Sequence, residues 1–524
     1  MAALFLSLLA FAYLFIGSNF SLHGAFYGEG LVLTTTLRLL SGELLYRDIL
    51  TVYPPGIFLL ELLAWKCLGA TLLADRIVSL VAQAALSGIL YATCRRMTTP
   101  LFSLLAFLAC LAFLGRVTLF GYPTIPALIF VFVSLQATCT SLENHSRPRL
   151  FWAGCLAGLV CLFRHDFALY LLVVVFVLLT LHRVSMLPFL VGLILLISPW
   201  VGYFLAKGAF PDLVSSLFLY TSPIYSKAMA LTFPAFNRGG AIHYLPLCVT
   251  FLGGLYLFPL FKRRKGLNSA DRLFISLLLF HSVSLINFFN RPDRPHLVAP
   301  LILSCPLFFF LIERWGKTLR VSGRHIAIAR GVAVALTLAF LWRPTGQKLH
   351  FLLVERRASN VFAYSLERLS GIYDNDPAGK ALEEAVRFIV GRSEKNERIF
   401  VGLPRYDDPP EACDLLFYFL ADRLPVVKYQ ELGERGLVTS AEGQQAIMED
   451  LKKRGVQWIV IHTFPDWEIH YRYPLKGATL LDEYIRNNYT TVKEFPPYKI
   501  LRRQADTATP RRSQLPRWTY HFSL

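Results

Sequence analysis

Apolar residues in this chain come in long runs, the fuller ones about 17–22 residues, which is the length a helix needs to cross a ~30 Å hydrocarbon core. Hydrocarbon offers no partner to backbone amides, so each run must satisfy its own as a helix. Of 524 residues, 55% are hydrophobic and only 17% charged, against about 25% charged in soluble proteins. The chain is therefore short of the polar surface a water-soluble fold needs. Eleven spans are read, at about 1–17, 74–93, 99–120, 123–142, 150–163, 167–181, 185–206, 242–261, 272–289, 296–312 and 326–342.

Charge orients them. Alternate short connections carry Arg95 and Arg96, Arg147 and Arg149, His182 and Arg183, the run Lys262 to Lys265, and then Lys317, Arg320 and Arg324. Basic short loops mark the cytoplasmic side, so the N-terminus is expected inside and everything after Trp342 outside. Met1 to Gly17 lacks a basic leading segment and a clear small-x-small cleavage site, so it reads as an uncleaved first helix. The same placement of basic residues accounts for the net charge of +18 and argues against a nucleic-acid partner. Nine cysteines form no CxxC pair, and of these only Cys413 lies in the C-terminal region, so cysteine gives no compartment.

The expected outer side holds two long connections, about 18–73 and 207–241, and two polar corners, Arg164-His165-Asp166 and Asn290 to His296. Charges near membrane depth usually pair or face a cavity, and these gather where the C-terminal region also emerges. From about 375 the pattern changes. KALEEAVRFIVGR reads as an amphipathic helix, RIFVG as a strand, ACDLLFYFLADR as a helix and PVVKY as a strand. Two further helix–strand units and a last strand, PYKILRR, follow. The organisation expected is a polytopic α-helical membrane domain, 1–342, a linker, 343–374, and a soluble extracytoplasmic α/β domain, 375–524. No phosphate-cradling glycine loop occurs in it. No metal motif is evident, and Asp407-Asp408 reads as a solvated turn; no cofactor is expected, and a divalent metal stays open.

The first outer connection carries the most chemistry. Glu29 stands at the start of an amphipathic helix that Gly42 ends; Tyr46-Arg47-Asp48 and Tyr53-Pro54-Pro55-Gly56 follow. A carboxylate here suits a general base or a group that orients a nucleophile. Equally, Glu29 could cap its helix and Asp48 pair with Arg47. The order of elements resembles the first periplasmic loop of the GT-C superfamily of polyprenyl-phosphate-sugar-dependent glycosyltransferases. The nearest of these are the protein-mannosyltransferase-like, aminoarabinose-transferase-like and Rgt-type families. Their acidic residue, often Asp-Glu, lies about thirteen residues before a Leu-Leu-x-Gly, ahead of Tyr-Arg-Asp and a Pro-Pro element. Here Glu29 is thirteen residues before Gly42 of LLSG, then come residues 46–48 and 53–56. One departure stands out: Gly28-Glu29 replaces Asp-Glu, leaving a single carboxylate.

The resemblance implies a GT-C-like membrane domain and an inverting glycosyltransferase of a bacterial plasma membrane. It would move a hexose or pentose from a polyprenyl-phosphate donor to a lipid, glycan or protein acceptor at the outer face. Glu29 or Asp48 inherits the catalytic role, with His23 a weaker candidate. Arg47, Tyr53, Arg164, His165, Asp166, Arg291, Asp293, Arg294 and His296 are expected to bind substrate, because arginine forks match phosphate oxygens. Ion pairing within each corner is the plain alternative. The rival function is a transporter or flippase for a lipid-linked anion, which would favour polar midplane residues and paired repeats. Arg116 and His281 are the main in-span candidates, and no repeat is detected.

Overall fold

The structure is a computed structural model that describes residues 1–22, 25–26, 28–117, 120–219, 230–237, 240–262, 267–318, 323–408, 413–432, 438–463 and 477–504. His23, Lys227, Arg238, Arg263, Arg264, Lys265 and Arg320 lie outside them.

Every apolar run becomes a helix. In order these are α1 (Ala2–Phe15), α4 (Leu72–Arg95), α5 (Pro100–Leu114), α6 (Thr124–Asn144), α7 (Arg147–Phe163) and α8 (His165–Leu181). Then come α9 (Leu187–Ala206), α11 (Leu245–Lys262), α12 (Ser269–Asn290), α13 (Arg294–Thr318) and α14 (Gly323–Leu353). The first connection contributes α2 (Gly28–Leu40) and α3 (Gly56–Leu68), and α10 (Phe210–Val214) follows α9. Among the described residues, six helices are long and apolar enough to cross a membrane, and α1, α5 and α8 are shorter apolar helices. This is the build of an integral membrane protein. On α9, Leu187, Ile194, Leu195 and Leu205 are exposed, which only a hydrocarbon solvent tolerates along so continuous a face. Where helices meet, small residues allow close approach: Gly154 of α7 lies against the Phe189 carbonyl, and Gly192 of α9 against that of Phe151.

The C-terminal region adds β1 (Phe362–Ala363), β2 (Tyr373–Asp374), α15 (Pro377–Val390), β3 (Phe400–Gly402) and α16 (Leu416–Ala421). It ends with α17 (Ala441–Lys453), β4 (Trp458–His462), α18 (Leu480–Asn488), β5 (Tyr489–Phe495) and β6 (Tyr498–Arg503). Four strands make one sheet in the order β3-β4-β6-β5, parallel between β3 and β4 and antiparallel elsewhere. Two expectations need correction. PVVKY is not a strand: Pro425 makes only an isolated bridge to Ile399. Pro425 has no N–H to donate to a ladder. The carbonyls of Val427 and Lys428 are taken by Arg38 and by Leu50 of the first connection. The stretch after Trp342 does not open as a linker either, since α14 runs on to Leu353 and Lys348 Nζ caps the Ile16 carbonyl at 2.8 Å.

The first connection ties the two regions together. Gly30 of α2 meets the backbone of α16 so closely that an added Cβ would lie 2.9 Å from the Leu415 carbonyl carbon. Beside it the Thr34 hydroxyl donates to the Leu415 carbonyl at 2.7 Å, and Gln430 Nε2 donates to Thr35 Oγ1 at 2.6 Å. Arg38, 2% exposed, donates to the Val427 carbonyl, Gln430 and Glu43, and Glu43 also takes Arg398. Gly30→Val should therefore lower the unfolding temperature and expose the 415–430 segment to protease, at a cost of about 1–3 kcal/mol for an overpacked contact.

Within the C-terminal core, Asp414 is fully buried and accepts from Phe417 N at 3.1 Å and the Tyr498 hydroxyl at 2.8 Å. Burial pushes its carboxyl up to about 7 from an ordinary 3.8. The folded state thus holds this proton more tightly than the unfolded chain. Its stabilisation is complete below the ordinary value and is lost as pH rises through about 7. Melting temperatures measured across that window should fall with rising pH in the wild type, and Asp414→Asn should flatten this slope.

Candidate active site

The two polar corners predicted from sequence come together. Arg164, between α7 and α8, grips Asp166 with Nε at 2.8 Å and Nη2 at 2.6 Å, and its Nη1 reaches Thr124 Oγ1 at 3.1 Å. Asn287 of α12, one turn before the second corner, donates to Asp166 Oδ2 at 2.5 Å and accepts from the Tyr170 hydroxyl at 3.0 Å. In that second corner Arg291 Nε holds Asp293 Oδ2 at 2.6 Å, while the His296 backbone and ring meet Oδ1 at 3.1 and 2.5 Å. Burial alone would raise the Asp293 carboxyl, but the His296 ring and Arg291 hold it down at about 2. Each corner is thus an ion pair, as the plain alternative had it, and the pairing fixes the guanidinium planes. Arg294, at the start of α13, is exposed. The His165 ring stands edge-on to Phe218 with centroids 5.4 Å apart.

Tyr53, of the Tyr-Pro-Pro-Gly element, reaches this cluster. Burial pushes its hydroxyl up, and it lies within the field of Tyr122, Glu431, Arg164 and Arg291. The approach follows from Gly56, where any Cβ would press within 2.9 Å of the Leu162 carbonyl carbon at the end of α7. The proline pair therefore delivers Tyr53 to the arginine corners because α3 starts hard against α7.

The two acidic candidates sit elsewhere. Asp48 accepts from Leu44 N at 2.9 Å and from Arg47 at 3.0 and 2.8 Å, and keeps a third of its side chain in solvent. Burial opposes its ionisation, yet Arg47 and the Leu44 amide hold its carboxyl below the ordinary value. Glu29 is 4% exposed and does not cap α2. Both its oxygens are taken by Arg76 of α4, at 2.7 and 3.0 Å, and Arg76 Nη1 goes on to the carbonyls of Ser18 and Ser21. The Arg76 guanidinium lies 5.0 Å over the Phe120 ring.

Sequence reasoning missed what lies behind Glu29. Glu61 of α3 and Asp75 of α4 are 2% and 1% exposed. They line one small cavity with Ile57, Ser79 and Tyr122. The signal was present: a lone Glu in IFLLELLAW and an Asp-Arg in LLADRIV are charges inside apolar runs, which rarely occur without purpose. Tyr122 also stands beside Arg164 and Thr124, so it borders both the carboxyl cavity and the first arginine corner. Among the described residues no group of three or more His, Cys, Asp or Glu side chains is arranged to hold a metal ion.

No family model matches the chain, and no curated protein does. Solved structures do. ArnT from Cupriavidus metallidurans bound to undecaprenyl phosphate superposes with a TM-score of 0.53 at 14% identity, over 97% of this chain and 99% of that one. The apo form of the same protein gives 0.50 at 14% identity over 97% and 98%. The apo oligosaccharyltransferase of Archaeoglobus fulgidus gives 0.50 at 13% identity, over 88% of this chain and 69% of its own. At such identities the likeness is one of fold alone, shared with these proteins over most of this chain.

Removing one partner of a buried ion pair strands the other charge, which costs about 3–5 kcal/mol. Arg76→Met should destabilise the chain by about that amount in thermal unfolding, and adding Glu29→Leu should recover part of the loss.

Proposed function

We propose that the chain transfers a sugar from a polyprenyl-phosphate carrier to a lipid, glycan or protein acceptor at the outer face of a bacterial plasma membrane. The observation that carries this reading is the convergence of Arg164 and Arg291 with Tyr53. The shared fold with ArnT, solved bound to undecaprenyl phosphate, adds to it. Eleven crossings, the N-terminus inside and a soluble C-terminal domain outside complete the arrangement.

In this reading Arg291 and the exposed Arg294 receive the lipid phosphate, with Arg164 behind them. Charge grows on that phosphate as the bond to the anomeric carbon breaks, and fixed guanidinium groups stabilise it without having to reorganise. Asp166 and Asp293 hold two of the forks in place. The acceptor hydroxyl attacks the opposite side of the anomeric carbon, with inversion. Glu29 or Asp48 orients or deprotonates it. Asp48 is the more accessible of the two, whereas Glu29 acts through the geometry that Arg76 imposes.

The test is transfer from labelled undecaprenyl-phosphate sugars by the full-length protein in proteoliposomes. Arg291→Ala with Arg294→Ala should lower kcat by about 10²–10³, as loss of a charge-stabilising donor does elsewhere. Glu29→Gln and Asp48→Asn identify the essential carboxylate. Transfer that survives both would sink the assignment to this pair. Flux of the lipid-linked anion with no transfer across a panel of donors would establish a transporter instead.

A further inference from the structure

Glu61 and Asp75 are not explained by the packing around them. They come from different helices, are almost wholly buried, and face one another and the Trp65 indole. Among the described residues, Glu61 Oε1 and Asp75 Oδ2 meet no hydrogen-bond donor, and the contact left to them is with each other. The cavity they line reaches Ser79 and Tyr122. Two ionised carboxylates in contact away from water repel strongly, so the pair needs either a proton or a cation between its members. The one guanidinium nearby is already committed, since Arg76 gives Nε and Nη2 to Glu29 and Nη1 to backbone carbonyls. Glu29, the nearest further carboxylate, is consumed by that same pair, and the described residues offer no third ligand arranged for a metal. A proton satisfies the pair with the groups present.

Such a pair holds one proton and one negative charge, and can take up a second proton. The groups that face it are Glu29 from α2, Trp65 from α3, Arg76 from α4 and Tyr122 from the segment before α6. Burial pushes the Glu61 carboxyl up to about 7, close to where a general base works best. Its position matters as much: Tyr122, which lines the cavity, also interacts with Arg164.

We propose that the Glu61–Asp75 pair, in place of Glu29 or Asp48, is the proton-accepting site for the transfer reaction, reached through the cavity beside Tyr122, with Glu29 and Asp48 left to orient the acceptor. This rests on the glycosyl-transfer reading and deepens it. The acceptor hydroxyl gives its proton to the pair as its oxygen forms the new bond to the anomeric carbon. The bond from that carbon to the phosphate oxygen breaks, and its electron pair leaves with the lipid phosphate. The pair then returns the proton to water. Glu29, locked on Arg76, is a positioning residue whose charge keeps the pair from losing both protons at rest.

The experiment compares wild type, Glu61→Gln, Asp75→Asn and Glu61→Asp, full-length in nanodiscs, with the labelled undecaprenyl-phosphate sugar that wild type uses. Each neutral variant should lose about 10²–10⁴ in kcat, the usual worth of a positioned base, with KM for the donor little changed. The rate should fall on the acid side of about pH 7 in wild type. That limb should shift in Glu61→Gln, where Asp75 ionises with no partner carboxyl to share its proton, and Glu61→Asp should restore part of the rate. An unchanged kcat and acid limb in both neutral variants, with wild type active, overturns the proposal and leaves sugar transfer standing. Infrared titration of the wild type gives an arm free of turnover. A protonated-carboxyl band present at neutral pH and lost in Glu61→Gln supports the pair. Absence of that band, or stoichiometric Mn²⁺ binding to wild type that Asp75→Asn abolishes, overturns it whether or not any donor is used.

Discussion

The buried pair of Arg76 with Glu29 is the joint on which the architecture turns. Arg76 belongs to the helical bundle and Glu29 to the first connection, and the same guanidinium ties down the carbonyls of Ser18 and Ser21. A long polar connection is thereby fixed at its root to α4. Its helix α2 can then offer the opposite side to the C-terminal region, where Gly30, Thr34, Thr35 and Arg38 bind the 415–430 segment. Buried charges are costly unless each donor and acceptor is matched, and here all three guanidinium nitrogens have partners.

From that joint the rest of the site follows by reach. Fixing α2 sets the course of residues 41–55, and the two prolines turn the chain so that α3 begins against α7. Tyr53 is then carried to Arg164 and Arg291, whose own positions depend on Asp166, Asn287 and Asp293. Cation, aromatic and carboxyl groups from three stretches far apart in the chain, at Tyr53, Arg164 to Asp166 and Asn287 to Asp293, end in one neighbourhood. The corners are pre-set by ion pairs, which fix the planes of their guanidinium groups.

Some of this was legible in the sequence. The apolar runs, the basic connections between them and the elements Leu-Leu-Ser-Gly, Tyr-Arg-Asp and Tyr-Pro-Pro-Gly sufficed for the helices, the polar corners and the fold shared with the solved structures. The helix–strand alternation after residue 375 held, except at PVVKY, where hydrophobicity suggested a strand and Pro425 could not support one. The partners of each charge were harder. Arg164 with Asp166 and Arg47 with Asp48 are close in sequence, but Glu29 finds Arg76 across 47 residues, a distance over which spacing carries no information.

What the sequence alone determined is the class of solvent each segment can face, because helix length and hydrophobicity must match a hydrocarbon layer and its charged borders. The tertiary structure decided which charges satisfy one another. It made Glu29, read from sequence as a candidate base or a helix cap, half of a buried ion pair. It also drew Glu61 and Asp75, one charge in each of two apolar runs, into a single cavity. Pairing energy depends on distances of a few ångströms between segments far apart in the chain, and only the packed helices fix those distances.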